Sequence, residues 1–195
     1  MEVFHSRFSR VLAAVSIGIL ALSWFVGSVG LGVQAAIGTL PIVLLFSYLA
    51  LIVFWLPKVS VEDDLVRISN IFREHTINLS AIKRIDTRFA LTIYTATKKY
   101  SAWGAPAPGR HASIFAAKDE GSHLPESTYL AGTVRPGDLI NTDSGAAAAH
   151  IRRLWERRTD TENIETSKVY WPRVAAMAAL VLADHALRTQ TLMHT

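Results

Sequence analysis

Val11 to Pro57 reads VLAAVSIGILALSWFVGSVGLGVQAAIGTLPIVLLFSYLALIVFWLP, and these 47 residues include no Asp, Glu, Lys, Arg or His. One membrane crossing needs roughly 20 apolar residues, so the stretch is about twice the length of a single span. Backbone polar groups in lipid must bond within their own segment, which predicts helices. The stretch therefore predicts a membrane anchor.

The stretch divides into two predicted spans, about 11–33 and 37–56, which form a transmembrane hairpin over 1–57. Gly27, Gly30 and Gly32 interrupt the centre. Glycine is a weak helix former, so we expect the turn near 29–36. A cleaved signal peptide is the alternative, but it would carry one short apolar core and no second span directly behind it.

Positive charges flank this stretch on both sides. Arg7 and Arg10 precede it, Lys58 follows it, and the expected turn carries no charge. Lys and Arg favour the cytoplasmic side of a membrane, so both termini should be cytoplasmic. We expect a protein of the cell (inner) membrane with two spans.

The composition excludes several classes of chemistry. The 195 residues include no cysteine, which rules out disulfides, thiolate catalysis and Cys-ligated metal clusters. The formal net charge of +4 is modest and fits attraction to anionic headgroups beside a membrane. No basic stripe interleaved with aromatic residues occurs, so nucleic acid is not an expected partner.

From Lys58 to Trp103 the apolar residues recur with a period of two. Val59 and Val61 alternate with polar neighbours, as do Leu91 and Ile93. This alternation predicts an antiparallel meander of short strands with one face turned inward. Prolines and a glycine then end the pattern, and 105–141 is predicted to be a long loop.

An amphipathic helix is predicted to begin near Asp143 or Ser144, either of which can cap it. Ile151, Leu154 and Trp155 form its apolar stripe and should close the curled sheet. The soluble domain is thus expected over 58–158. A tail, 159–195, follows.

The tail contains a predicted short apolar helix at about 172–188. Its apolar core, Val174 to Ala183, is too short to cross a bilayer. It is therefore expected to be an interfacial, docking or partner-binding helix, or a helix packed on its own domain.

A family resemblance rests on two stretches. Asp86 to Thr92 reads DTRFALT, and Tyr100 to Arg110 reads YSAWGAPAPGR. These resemble the small PH-domain membrane proteins common in actinobacteria, over roughly 40–158 of this chain. The resemblance implies a PH-like fold, a bent antiparallel β-sandwich or barrel closed by a C-terminal helix. The expected fold class is therefore an α+β membrane protein, a helical hairpin followed by a PH-like domain.

No motif indicates catalysis, and we predict no catalytic residue, cofactor or metal site. The acidic run at Glu62 fits a hairpin turn, and the seven histidines show no paired ligand spacing. The chain is therefore predicted not to be an enzyme.

Two surfaces are candidate binding sites. The first is basic and would bind lipid headgroups or a partner, although ordinary solvated charge is the alternative; it comprises Lys83, Arg84, Arg88, Lys98, Lys99, Arg152 and Arg153. The second is a face of small residues that would allow close helix packing, either with another protein or only between the two spans; it comprises Ala14, Gly18, Ala21, Ser28 and Gly32.

The expected function is that of an interaction subunit. It would stabilise or assemble a larger membrane protein complex, and a respiratory bcc–aa3 supercomplex is one candidate host by analogy with other small accessory subunits. The alternative is a module that senses anionic lipid.

Overall fold

A computed structural model describes residues 1–62, 64–108, 136–139, 141–157 and 164–193. The chain divides into two compact units. The first comprises Met1–Arg7 and Leu56–Val169, and the second comprises Phe8–Trp55 and Tyr170–Thr195.

The second unit is built on helix α1, Arg7–Ala50, which a π-helical turn extends over Leu51–Trp55. The helix is broken at Gly32, whose φ of 83° and ψ of 173° are not helical. Trp24 Nε1 donates a hydrogen bond of 3.1 Å to the carbonyl of Ala36. In a straight helix, twelve residues would separate Trp24 and Ala36 by about 18 Å, too far for this hydrogen bond. The chain therefore doubles back at Gly32 and forms two helical arms, 7–31 and 33–55.

The arms lie side by side along their length. The Arg10 guanidinium lies 5.4 Å from the ring centre of Trp55, at the ends of the arms farthest from Gly32. A groove of about 440 Å³ is lined by residues of both arms, among them Ser16, Leu20 and Phe46. The reversal at Gly32 falls within 29–36, where the sequence predicts a turn.

The helical stretch Arg7–Trp55 is long and apolar enough to cross a membrane, judged by length and composition. Helix α2, Asp143–Arg157, belongs to the first unit. Helix α3, Trp171–Met193, belongs to the second and extends five residues beyond the predicted 172–188. Near its start, the Tyr48 hydroxyl donates to the carbonyl of Arg173 at 3.3 Å.

The first unit contains two antiparallel sheets. The larger has the strand order β1-β2-β3-β4-β8. Its strands are β1 Glu2–Phe4, β2 Lys58–Glu62, β3 Leu65–Ser69, β4 Arg73–Asn78 and β8 Glu165–Val169. The smaller has the order β5-β6-β7, with β5 Arg84–Asp86, β6 Ala90–Tyr94 and β7 Lys99–Pro106.

The two sheets come together where β7 crosses the start of β2. A Cβ atom on Gly104 would lie 2.6 Å from the Lys58 Cα atom, so the two backbones touch with no room for a side chain. The amide of Asn70 connects the sheets beside this crossing. Its Nδ2 donates to the Ser101 carbonyl at 2.9 Å, and its Oδ1 accepts from the Trp103 N–H at 3.0 Å.

The core lies between the sheets and beneath α2. Its largest fully buried members include Ile68, Ile77, Leu91, Ile93 and Ile151. Helix α2 contacts strands of both sheets and so covers the opening between them. Thr142, rather than Asp143 or Ser144, caps α2, since its hydroxyl accepts the Gly145 N–H at 3.0 Å.

A buried ion pair holds α2 in place. Arg152 Nη2 lies 3.0 Å from Asp138 Oδ1, and the two side chains are 8% and 1% exposed. The Thr87 hydroxyl donates to the same carboxylate oxygen at 2.7 Å, which connects the pair to the smaller sheet. A buried charge needs such partners, because losing them leaves an uncompensated charge in the interior.

The register of the larger sheet brings three chain connections to one end. Phe4 pairs with Val59, Lys58 with Ser69, and Arg73 with Val169. The chain therefore enters and leaves the stretch 8–55, and continues into α3, from this same end of the sheet. We call it the connection end; the opposite end, which carries Glu2, Asn78 and Glu165, is the far end.

The predicted α+β class and the antiparallel sheets are confirmed. Among the described residues the strands form two sheets and no closed barrel.

The folded unit does not coincide with 58–158, since β1 and β8 both belong to its larger sheet. Strand β7 also continues through Pro106, past the predicted loop start at 105, because Ala105 is fully buried. Most of the predicted loop lies outside the described residues.

Replacing Gly104 by Ala should destabilise the first unit by about 1–3 kcal/mol, as overpacking of a filled interior does. The added methyl would meet the backbone of Pro57 and Lys58, which cannot rotate away. Urea denaturation of the purified full chain in detergent measures the change. Gly18→Ala is the matched control, because nothing lies within 4 Å of its added Cβ. Equal stability of the two variants would contradict the close contact.

Arg152→Met should cost about 3–5 kcal/mol of folding free energy, because it leaves the Asp138 carboxylate buried without its cation. The neighbouring Arg153 is exposed, so Arg153→Met should change stability by less than about 0.5 kcal/mol. Adding Asp138→Asn to Arg152→Met should recover part of the loss. Thermal unfolding of the three variants provides the comparison, and equal effects at 152 and 153 would refute the pairing.

Candidate interaction site

The far end of the sandwich holds a cleft of about 510 Å³. Its walls are the segment after β4, the tip of the β6–β7 hairpin and the start of β8. The residues that line it are Ala81, Lys83, Ala96, Thr97, Lys98, Tyr100, Glu165, Thr166 and Ser167.

The register of β8 directs Glu165 into the cleft. Glu165 pairs with Ile77, which faces the core, and side chains paired across strands lie on the same face. Its Oε2 atom accepts the Tyr100 hydroxyl at 2.9 Å and the Thr97 hydroxyl at 3.1 Å. Glu165 therefore holds the hairpin tip against β8 and forms the floor of the cleft.

The environment of Tyr100 keeps its hydroxyl protonated. Burial raises the pKa of Tyr100 to about 12, and the hydrogen bond and negative charge of Glu165 contribute in the same direction. Burial and the interactions with Glu165 all disfavour the charged phenolate form of Tyr100. Tyr100 therefore acts as a hydrogen-bond donor at neutral pH and is a poor candidate for a general base.

The His75 ring lies 4.9 Å from the Tyr100 ring and faces the same inner surface. Burial lowers the pKa of His75, and the positive charges of Arg73 and Lys98 lower it further. Its Nδ1 atom is buried with no hydrogen-bond partner among the described residues. His75 is thus favoured in its neutral form, as an aromatic wall beside the polar floor.

This arrangement suits binding better than catalysis. Lys83 and Lys98 line the cleft with two cationic side chains, and one oxygen of the Glu165 carboxylate accepts hydrogen bonds from two hydroxyl groups. The two lysines suit the binding of a carboxylate or phosphate group. In the described part of the chain, no group of three or more His, Asp or Glu residues could hold a metal ion.

The seven predicted basic residues do not form one surface. Lys83 and Lys98 share the far-end cleft. Arg84 stacks on Tyr94 at 4.0 Å and Arg88 on Phe89 at 5.2 Å. Lys99 and Arg88 line a separate cavity of about 330 Å³.

The remaining two predicted basic residues, Arg152 and Arg153, are adjacent on helix α2 but lie on different sides of it. Arg153 is exposed, whereas Arg152 is buried against Asp138. The prediction that Arg152 belongs to a binding surface is therefore wrong, because the helix turns that side chain towards the interior.

The small-residue face is also divided. Ala14, Gly18 and Ala21 are exposed on the first arm, and Gly32 forms the chain reversal. Ser28 donates to the Phe25 carbonyl of its own helix at 2.7 Å. The contacts between the arms use other residues, among them Leu20 and Trp24. Viewed down the helix axis, Leu20 and Trp24 are rotated by roughly a third of a turn from the small-residue face.

Sequence reasoning did not find His75, Tyr100 and Glu165. They come from three strands that lie far apart in sequence, and Glu165 lies in the segment assigned to the tail. Glu165–Val169 is polar except at Val169, so no apolar alternation marks it as a strand, and its pairing with β4 determines its conformation.

Comparison of the chain with models of known protein families, with curated proteins and with solved structures finds no match. The PH-like resemblance therefore stays a prediction that rests on the two quoted stretches.

The lowered pKa of His75 predicts a loss of stability in acid. Below the usual histidine pKa of 6.5 the unfolded chain binds a proton that the folded chain resists, so stability should fall as the pH decreases from 6.5. His75→Gln should remove part of this fall. Denaturation midpoints between pH 5 and 8 measure it, with His185→Gln, at an exposed position of α3, as control. A pH dependence unchanged by His75→Gln would contradict the assignment.

Proposed function

We propose that this chain is a membrane-anchored interaction subunit, without enzymatic activity, that stabilises or helps to assemble a larger membrane protein complex. The observation that carries the proposal is the exposure of Ala14, Gly18 and Ala21 on the first arm of the apolar hairpin. Two further features support it: the pairing of β1 with β2, and the cationic cleft at the far end.

The pairing of β1 with β2 supports a double crossing of the membrane. Residues 2–4 precede the apolar stretch and residues 58–62 follow it, yet they are neighbours in one sheet. Both ends of the stretch must then lie on the same side, so it crosses an even number of times. Each arm is long enough for one crossing at about 1.5 Å per residue. Arg7, Arg10 and Lys58 favour the cytoplasm for that side.

The small-residue face supports contact with another helix. Lipid gives helices no hydrophobic reason to associate, so close approach through small residues matters more in membranes than in water. Nothing lies within 4 Å of a Cβ built on Gly18, so this position is open for such an approach. Since the second arm packs elsewhere, the face is available to a helix of a partner protein.

The soluble unit supplies a second contact in this proposal. Two packed sheets with a closing helix fit a PH-like domain, and the far-end cleft presents Lys83 and Lys98 away from the three chain connections. That placement suits an acidic segment of a cytoplasmic partner. A respiratory bcc–aa3 supercomplex stays one candidate host.

The alternative function is an anionic-lipid sensor. The exposed cavity around Arg88 and Lys99 on the outer face of the smaller sheet favours it. The far-end lysines fit it less well, since headgroups would reach them only if the sandwich lay on its side. Co-purification distinguishes the two functions, because an interaction subunit should retain stoichiometric membrane proteins in mild detergent and a lipid sensor should not.

Purification from native membranes tests the proposed function. A C-terminally tagged chain extracted in mild detergent should co-purify with stoichiometric membrane proteins, identified by mass spectrometry. Gly18→Leu should lose them, because the larger side chain prevents close helix approach. Ser23→Leu, at an exposed position outside the small-residue face, should keep them. A wild-type chain that purifies without a stoichiometric partner would refute the proposal.

A further inference from the structure

Two large aromatic side chains are exposed on the first unit near the connection end. Phe89 is 80% exposed and Trp103 is 56% exposed. Strand β7 alternates there, with Ala102 and Gly104 buried and Trp103 on the outer surface. Single exposed apolar residues are ordinary on protein surfaces, so exposure alone does not mark a binding face.

Chain geometry places Trp103 close to the end of the apolar stretch. Its neighbour Gly104 touches Lys58, with a hypothetical Cβ 2.6 Å from the Lys58 Cα atom. Lys58 follows Trp55, the last residue of the apolar helical stretch, by three residues. Three residues span at most about 11 Å, so Trp103 cannot lie far from the point where the stretch ends.

Phe89 lies at the same end of the smaller sheet. Its carbonyl accepts the Ala107 N–H at 3.0 Å, and Ala90 pairs with Pro106. Both partners lie just beyond Gly104 in β7. Phe89 therefore lies at the end of the smaller sheet where β7 has just passed Lys58, and its side chain is exposed there.

Cationic groups accompany the two aromatics. The Arg88 guanidinium lies 5.2 Å from the Phe89 ring centre, and Lys58 and Arg73 belong to strand ends at the connection end. Two carboxylates lie nearby, since Asp86 accepts the Arg88 N–H at 3.2 Å and Glu74 accepts the Ser69 hydroxyl at 3.0 Å, and the three basic residues outnumber them by one. Aromatic rings beside basic groups are the combination found at membrane interfaces.

We infer that the connection end is a membrane-contact face, in which Trp103 and Phe89 insert among the headgroups and Arg88, Lys58 and Arg73 bind anionic phosphates. The inference rests on the membrane anchorage proposed above and goes beyond it, since it seats the soluble unit on the bilayer. The far-end cleft then faces the aqueous phase. Aromatic insertion and several basic contacts each add favourable free energy of membrane binding.

The absence of cysteine from the chain permits a direct test. Trp103→Cys and Phe89→Cys each create a single labelling site at the proposed face, and Ala96→Cys, exposed at the far-end hairpin tip, is the matched control. Each full-length variant is labelled with an environment-sensitive fluorophore and reconstituted into phosphatidylcholine–phosphatidylglycerol vesicles. Lipids with a nitroxide on the headgroup and aqueous iodide serve as opposing quenchers.

Labels at 103 and 89 should show a blue shift, strong quenching by the nitroxide lipid and weak quenching by iodide. The label at 96 should show the opposite. Equal iodide quenching at all three sites would overturn the inference, and so would shielding at 103 and 89 that appears only in native membranes with a partner protein bound. Flotation separates the two proposals: a chain that fails to float with vesicles overturns both, whereas a floating chain with water-exposed labels overturns only this one.

Discussion

The antiparallel register of the five-stranded sheet is the constraint on which the rest of the structure depends. It sets Phe4 beside Val59 and Arg73 beside Val169, so every connection to the apolar segments leaves from the same end. The opposite end is then free of connections to the apolar segments and can hold the cleft formed by Tyr100, Glu165 and the hairpin tip. One set of backbone hydrogen bonds thereby gives the first unit one end that carries these connections and one that does not.

A few close contacts keep the smaller sheet aligned with this register. Gly104 allows β7 to touch β2, and the Asn70 amide bonds β7 as a short piece of strand would. At the side of the sandwich, Arg152 and Thr87 meet on Asp138 beneath α2. These contacts are polar or involve glycine, so they fix the geometry of a core whose apolar residues alone would tolerate several arrangements.

Strongly patterned segments could be predicted from the sequence. The apolar stretch, the alternation at Val59 and Val61, and the stripe that includes Ile151 all indicate their structures directly. Strands β1 and β8 have no such signal, because Glu2–Phe4 is only three residues long and Glu165–Val169 is polar except at Val169. The strands beside them determine their conformation.

The contacts that side chains make were harder to predict from the sequence than the helices and strands. Arg152 and Arg153 are adjacent on one helix, and only the position of Asp138 decides which of them is buried. The floor of the far-end cleft joins residues from three distant strands, a combination that no local pattern records. Lys83 and Lys98 were accessible to prediction because each lies near the end of a predicted strand, although their shared cleft was not.

The position of β1 has a consequence for isolating the first unit. A fragment that begins at Lys58 would lack the strand that covers one side of β2, and would expose the backbone donors and acceptors along Val59–Val61. Unpaired edges of this kind recruit other chains and promote aggregation. A water-soluble version should therefore keep residues 1–7 and join them to Leu56 through a short flexible linker, so that the discontinuous sheet can still close.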